Sequence, residues 1–582
     1  MSIPERAADP VELRMGGPRT RLEHGRWTAE VRGDEVADVR FDGVLLLRAI
    51  RPVVRDQDWN TVPVTVVTRS RSANDEVGLD SELSFEAGSI SYRATVTVRL
   101  SADELVVDFR GEAGSEFLRN RIGLVVLHPA SDAGREVQVR HPDGSTTAGR
   151  WPVAISPHQP FTDVAGFGWA TSGVRAELTL TGDVFETEDQ RNWTDASFKT
   201  YGTPLSRPFP VEVRPGEVCR QQARLRASGR RTTLPSRPPT DTVQVRATVV
   251  GRVPALSLAA CLYPPPAALP RLRGRYETVL VELTGAEARW PSLLSAAADQ
   301  AAALTAELDV RVVPADPAAV GRCLALLRGL PVRRLGAFDP STHLSTPSLV
   351  AALGEQARRA GYPGELVGGT RAHFTELNRG QDQLPPGLSA LTFSLTPQMH
   401  ATEVPHLVDS LSAQRTVVEN AVRIAAGRPL HVGPVTLARR FNAVATTQPS
   451  GPEADAAAAV DSLQGTAFAA AWVLGSFAAL AVPEVASICW FETVGPRGVV
   501  GADQTLTPAG AILDELALRR GRALLAVDVP DGVAAVAVAD ERGVDVLLAN
   551  LTAQRRGIAV LGTGGRAEAV LDPWSVAVVR PG

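Results

Sequence analysis

The sequence predicts a multidomain α+β and α/β protein. An N-terminal antiparallel β-sandwich spans 1–240, a central (β/α)8 TIM-like barrel spans 250–521, and a small C-terminal β-sandwich spans 522–582. Three observations carry this. At about 150 residues per domain, 582 residues make three or four domains. Apolar residues alternate with polar ones through the first 240 residues, with almost no helical periodicity. From about residue 250, short apolar runs alternate with Ala- and Leu-rich helical stretches.

In the first segment, "TAEVRGDEVADVRFDGVLLLRAI", "SISYRATVTVRLSADELVVDFRG" and "VRAELTLTGDVFETE" have the period of two that a half-buried strand requires. The segment closes near "RASGRRTTLPSRPPTDT", a linker rich in Pro, Ser and Arg. Eight runs follow, at 253–260, 278–284, 309–315, 332–339, 366–378, 391–401, 430–442 and 486–495. Most are followed by a helix, which makes them the strands of a (β/α)8 barrel. The first crossover, "CLYPPPAALPRLRGR", is a weak helix. From residue 522, "VAAVAVADERGVDVLLANLT" and "AEAVLDPWSVAVVRPG" return to strands.

Bulk properties exclude several functions. A net charge of -4 leaves no basic footprint for nucleic acid. The four cysteines are widely separated and form no CxxC pair, so no zinc site or disulfide framework is expected, and a reducing cytoplasm fits. The N-terminus lacks the apolar core of a signal peptide. The run "TAFAAAWVLGSFAALAV" reads as a buried helix rather than a membrane span. "VGGT" (367–370) lacks the spacing of a phosphate-binding loop, and no metal or cofactor constellation is legible.

A barrel enzyme works at the C-terminal ends of its strands, so the runs nominate residues. Glu376 and Asn378 lie in "HFTELNR", His400 ends run six, Arg440 and Asn442 lie in "ARRFN", and Glu492 ends run eight. Two carboxyls at one mouth divide acid and base roles when their surroundings separate their pKa values. Salt bridges from Glu376 or Glu492 to Arg379, Arg440 or Arg497 are the competing explanation. Glu282 and Asp339 are weaker candidates, because Asp339 precedes Pro340 and suits a turn. His373 reads as packed, and His431 begins a strand at the wrong end.

The first segment holds one further polar cluster, "EDQRNWTDASFKTY". It contains Lys199, the only lysine among 60 Lys and Arg residues. Arginine replaces lysine where charge alone matters, so this exception points to a use for a compact ammonium. Asp189, Arg191 and Asn192 flank it, and "ISPHQPFTD" contributes His158. These groups suit a hydroxylated ligand. A polar interdomain contact with Lys199 in a fixed ion pair explains them equally well.

The motifs "SPHQPF", "FETEDQRNWTDASFKTY", "PLSRPFPVEV", "HFTELNR", "PVTLARRFNAVAT" and "WFETVGPRGV" resemble those of the D-apionate lactonase family. The likeness spans 156–498, and the β–barrel–β order covers nearly the whole chain. Thr187 stands where methionine is expected. The resemblance implies hydrolysis of D-apionolactone, a branched five-carbon sugar lactone, to D-apionate. No residue mechanism comes with it. The expected assignment makes Glu376 and Glu492 the acid/base pair, in either order, with His400 polarising the carbonyl or relaying protons. Lys199, Asp189, Arg191, Asn192, His158, Asn378, Arg440 and Asn442 would bind substrate. No cofactor, metal, nucleic acid or membrane partner is expected. Two alternatives stay open: a glycoside hydrolase using the same two glutamates, and a non-catalytic carbohydrate-binding protein.

Overall fold

A computed structural model describes residues 9–17, 19–71, 77–232, 241–264, 269, 272–445, 451–562 and 564–581. It divides into two compact units. One comprises 14–237 and 444–449, and the other comprises 1–13, 238–443 and 450–582. Residues 233–240 of the expected linker, and 265–268, 270 and 271 of the first crossover, lie outside the described residues.

In the first of these units, alternation produces two nine-stranded sheets whose adjacent strands pair antiparallel. In Ile90–Leu100, for example, Tyr92, Ala94, Val96 and Val98 are buried while Arg93 and Thr95 are exposed. The inward residues of both sheets join one apolar cluster, which includes Trp27, Leu47 and Phe185 from one sheet and Phe85, Phe109 and Leu178 from the other. Ser197–Gly202 lies in the first sheet, paired with Phe185–Asp189 and with Phe117–Pro129. Glu188 therefore stands opposite Lys199, and Glu186 opposite Tyr201.

The second unit contains eight parallel strands closed into a barrel. They are β1 (Ala255–Ala259), β2 (Tyr276–Leu283), β3 (Glu307–Val312), β4 (Val332–Ala337), β5 (Glu365–His373), β6 (Ala390–Leu395), β7 (Leu430–Val435) and β8 (Val485–Val494). β1 pairs with both β2 and β8, which closes the ring. Outward residues such as Val279, Val281, Leu308 and Val310 pack on helices α1 (Trp290–Leu304), α2 (Ala318–Leu326) and α3 (Pro347–Ala360). α3 shows how the sequence sets a helix: Thr346 caps it by accepting from Leu349 N–H, Pro347 occupies the first turn, and Gly361 ends it in the left-handed region.

The end of β5 differs from expectation. "FTELNR" is a short helix, α4 (Phe374–Arg379), and not strand. Runs six and seven are also shorter than expected, which leaves His400, Arg440 and Asn442 in the loops beyond β6 and β7. Three strands change register near the mouth. On β5, four steps from Gly369 to His373 face two on β6. Gly369 has φ +105°, and a Cβ there would lie 2.6 Å from the Thr392 carbonyl oxygen, so glycine is required at the start of this bulge. On β7 the shift falls between Val432 and Val435, around Gly433. On β8, the segment Trp490–Glu492 has one residue more than Leu258–Ala259 opposite, with Phe491 at φ 28°.

The apolar run at 466–482 forms α5 (Ala467–Leu480), buried on nearly every side. Among the described residues no helix is long and apolar enough to cross a membrane. After the barrel the chain forms a seven-stranded sheet. One of its inner strands, Thr242–Arg252, precedes the barrel and pairs with Ala523–Asp528 on one side and Arg556–Leu561 on the other.

Candidate active site at the barrel mouth

β2 ends in Glu282, whose side chain is inward because Val281 and Leu283 face the helices. Its Oε2 accepts from Arg371 of β5 at 2.7 Å and from Arg440, beyond β7, at 2.9 Å. These two cations hold the Glu282 carboxyl at about 2 despite its burial. Arg440 also donates to the Arg371 carbonyl oxygen. Both guanidinium groups lie over the Phe441 ring, at 4.3 and 5.2 Å from its centroid. Asp339, as the turn reading allowed, accepts from Ser341 and Thr342 and organises the loop after β4. That loop brings His343 to Arg371, with Nδ1 3.3 Å from Nη1. Two buried positions remain open: Glu282 Oε1 and Arg371 Nε have no hydrogen-bond partner among the described residues. Orphaned groups of this kind, around a net positive charge, suit a polar ligand.

The β5 bulge leads straight into α4, which carries Glu376. The residue is partly buried, but its Oε2 is closed from solvent and has no hydrogen-bond partner among the described residues. Burial pushes the Glu376 carboxyl up to about 7, against the pull of its own N–H, Arg379 and the His373 N–H. His373 is buried and held down to about 3 by desolvation and by Arg440 and Arg439, so its imidazole is neutral. Asn378 is fully buried within α4, and Oδ1 accepts from Gln381 at 3.2 Å.

Glu492 follows the β8 bulge. Its Oε1 accepts from Arg497 at 3.0 and 2.7 Å, and its Oε2 at 2.9 Å. The ion pair weighed against a catalytic Glu492 is therefore present. Burial still raises this carboxyl, with Arg497 and the Cys261 thiol opposing. His400 and Asn442 are partly buried in the loops after β6 and β7. His431, at the opposite end of its strand, bonds Ser487 and Glu365. Three residues of this mouth escaped the sequence reading: Arg371, His343 and Phe441. Arg371 was accessible to the strand-end rule, and Phe441 lies inside "ARRFN". His343 sits four residues beyond Asp339 and had no local signal.

In the other unit, Asp189 and Arg191 form a bidentate pair at 2.8 and 2.7 Å, and both are buried. Arg191 also donates to the carbonyl oxygens of Pro152 and Val153, and Asp189 accepts from Ser156 N–H. Asn192 donates to Ser156 O. The three residues thus brace the 152–156 loop rather than facing open space. His158 is exposed beside that loop. Lys199 Nζ pairs with Glu188 at 2.5 Å, and Trp193 Nε1 donates to the same carboxylate at 2.8 Å.

A closed parallel barrel whose mouth gathers carboxylates, arginines and neutral imidazoles defines a barrel enzyme that handles polar substrates. Comparison with known proteins sharpens this class. The N-terminal domain of D-apionate lactonase matches residues 13–230, and its TIM barrel domain matches 273–521. The chain belongs to the D-apionate lactonase family. A curated D-apionate lactonase from Brucella anthropi is 25% identical over 96% of both chains. Among solved structures, a GH30 endoxylanase from Clostridium papyrosolvens is 10% identical, covering 58% of this chain and 98% of its own, at TM-score 0.39. A putative aldose 1-epimerase from Escherichia coli is 15% identical, covering 36% of this chain and 99% of its own, at TM-score 0.28.

Proposed function

We propose that the protein hydrolyses D-apionolactone to D-apionate in apiose catabolism. Family membership supports the substrate. The observation that carries the chemistry is Glu376, a carboxyl with an unpartnered oxygen and a pKa of about 7. A carboxyl poised near the working pH can both take and return a proton.

In this reading Glu376 takes a proton from water as the water oxygen bonds to the lactone carbonyl carbon. Negative charge then develops on the carbonyl oxygen, near the cationic Arg371 and Arg440. The ring C–O bond breaks, and the leaving oxygen receives the proton from Glu376. The new carboxylic acid loses its proton to solvent. Glu492, with both oxygens on Arg497, is the second carboxylate and orients substrate hydroxyls. His400 and Asn442 are further contacts, and Asn378 supports α4. In the N-terminal unit we assign Asp189, Arg191 and Asn192 to bracing the 152–156 loop. His158 gives that loop an exposed polar group, and Lys199 neutralises Glu188.

We also infer three folding regions, at 1–240, 250–521 and 522–582, with Thr242–Arg252 joining the last. The first is a sandwich of its two sheets. The last curls into a small sandwich, because its two edge strands, Arg566–Leu571 and Val576–Val579, are consecutive in the chain. Four free cysteines support a cytoplasmic location.

The test is direct. Purified protein is incubated with D-apionolactone and, separately, with aryl glycosides. Acid release from the lactone without aglycone from the glycosides is expected. Aglycone release with no acid release overturns the assignment in favour of a glycosidase.

A further inference from the structure

His343 sits on the loop between β4 and α3, at the end of the barrel where β-strands deliver their catalytic groups. Its backbone is tied on every side. The N–H donates to Asp339 O at 2.9 Å, and the carbonyl oxygen accepts from Arg371 N–H at 3.1 Å and Thr370 Oγ1 at 3.0 Å. Its φ of 59° places it in the left-handed region, where a non-glycine residue persists only when its surroundings hold it. The ring packs against Phe441, with centroids 5.1 Å apart.

The ring's hydrogen bonding is equally constrained. Arg371 Nη1 approaches Nδ1 at 3.3 Å, and a guanidinium can only donate. Nδ1 therefore presents its lone pair, and the proton of the neutral ring is on Nε2. Nε2 has no hydrogen-bond partner among the described residues. Burial, with Arg371 and Arg440 nearby, pushes the imidazole down to about 4, against Glu282 and Asp339, so it is neutral at ordinary pH.

We propose that His343 is a catalytic hydrogen-bond donor, giving its Nε2–H to the lactone carbonyl oxygen as that oxygen becomes negative. A base role is closed to it, because one nitrogen already carries a proton and the other faces an arginine. The Arg371 and Arg440 guanidinium groups, both paired with Glu282, are fixed cations beside the ring and favour an oxyanion over a neutral hydroxyl. A donor aimed at developing charge acts on kcat more than on KM. This inference rests on the lactonase reading, and the experiment separates the two.

His343→Ala and His343→Gln are assayed on D-apionolactone beside the wild type, with thermal midpoints confirming that both fold. His343→Ala is expected to lower kcat by about 10²–10³ with KM changed less than about threefold. His343→Gln keeps an amide N–H near the Nε2 position and should recover at least about tenfold of that loss. Selective ¹⁵N labelling of histidine reads the tautomer independently: Nε2–H in the wild type, and a tautomer mixture after Arg371→Met. An unchanged kcat in folded His343→Ala, a loss confined to KM, or an Nδ1–H tautomer overturns the proposal. A wild type inactive on the lactone removes the functional reading as well, whereas an active wild type beside an indifferent His343→Ala removes the donor alone.

Discussion

Glu376 is the residue on which stability and chemistry pull in opposite directions. Its folded pKa of about 7 lies above the ordinary carboxyl value of 4.5. Between those values the folded state binds a proton that the unfolded state does not. Its contribution to stability is therefore full below pH 4.5 and is lost as pH rises through 7. Glu376→Gln carries no ionisable group and escapes that loss. We expect the variant to match the wild type near pH 4.5 and to be more stable by on the order of 1–3 kcal/mol at pH 8. Lactonase turnover should fall by at least about 10². Urea unfolding at the two pH values checks the first statement, and a difference independent of pH refutes it. Glu376 was legible as a strand-end carboxylate, but its unpaired oxygen was not, because that depends on what α4 packs against. Lys199 shows the same limit. Its rarity and motif were visible, and its partners Glu188 and Trp193 lie in the quoted stretch. Only the antiparallel register that sets Glu188 opposite Lys199 selects that pair.

The barrel strands are unusual in what they point inward. β3 contributes Asp309 and Arg311, and β4 contributes Arg334, all nearly inaccessible. Arg334 donates to Asp309 at 3.1 Å, Glu277 at 2.7 Å and Thr278 at 2.7 Å, while Arg311 reaches Gly433 O at 2.8 Å. Apolar periodicity located these strands well, because their outward residues meet the helices. It did not disclose the charged interior, because an alternating strand does not say which polar residues meet across a ring. Nor did it disclose the bulges on β5, β7 and β8, which are register differences between two strands. Breaking a buried ion network strands its remaining charges. Asp309→Ala leaves Arg311 without its carboxylate and Arg334 with Glu277 alone, and should destabilise the protein by about 3–5 kcal/mol. Asp309→Leu combined with Arg334→Met should recover only part of that loss, because Arg311 stays without its carboxylate. Denaturant titration of the single and double variants measures both. A single variant within about 1 kcal/mol of the wild type would show that the network is not coupled as described.

At the scale of the whole chain, the β–barrel–β order was legible because strand alternation and barrel periodicity differ in kind. The assignment of 242–252 was not. It lies between a Pro-rich linker and the first barrel run, and its partners come after residue 522. The strand is the third of seven in its sheet, with one antiparallel and one parallel neighbour. Val243 and Val245 are buried in the same core as Leu525, Val546 and Ile558. Without this strand the sheet separates into the pair 556–571 and the group 523–550 with 576–579. A proline in an inner strand removes a ladder donor and clashes with its neighbour. Val245→Pro in the full chain should therefore destabilise the C-terminal sheet by on the order of 1–3 kcal/mol, the cost of a buried ladder acceptor left without its donor. The effect should appear far away in sequence. Amide exchange is expected to accelerate in 523–528 and 556–561, while the 90–100 strand of the N-terminal sheets keeps its protection. Protection lost only within 242–252 would mean that the sheet closes without this strand, and that the barrel's leading segment is an accessory to it.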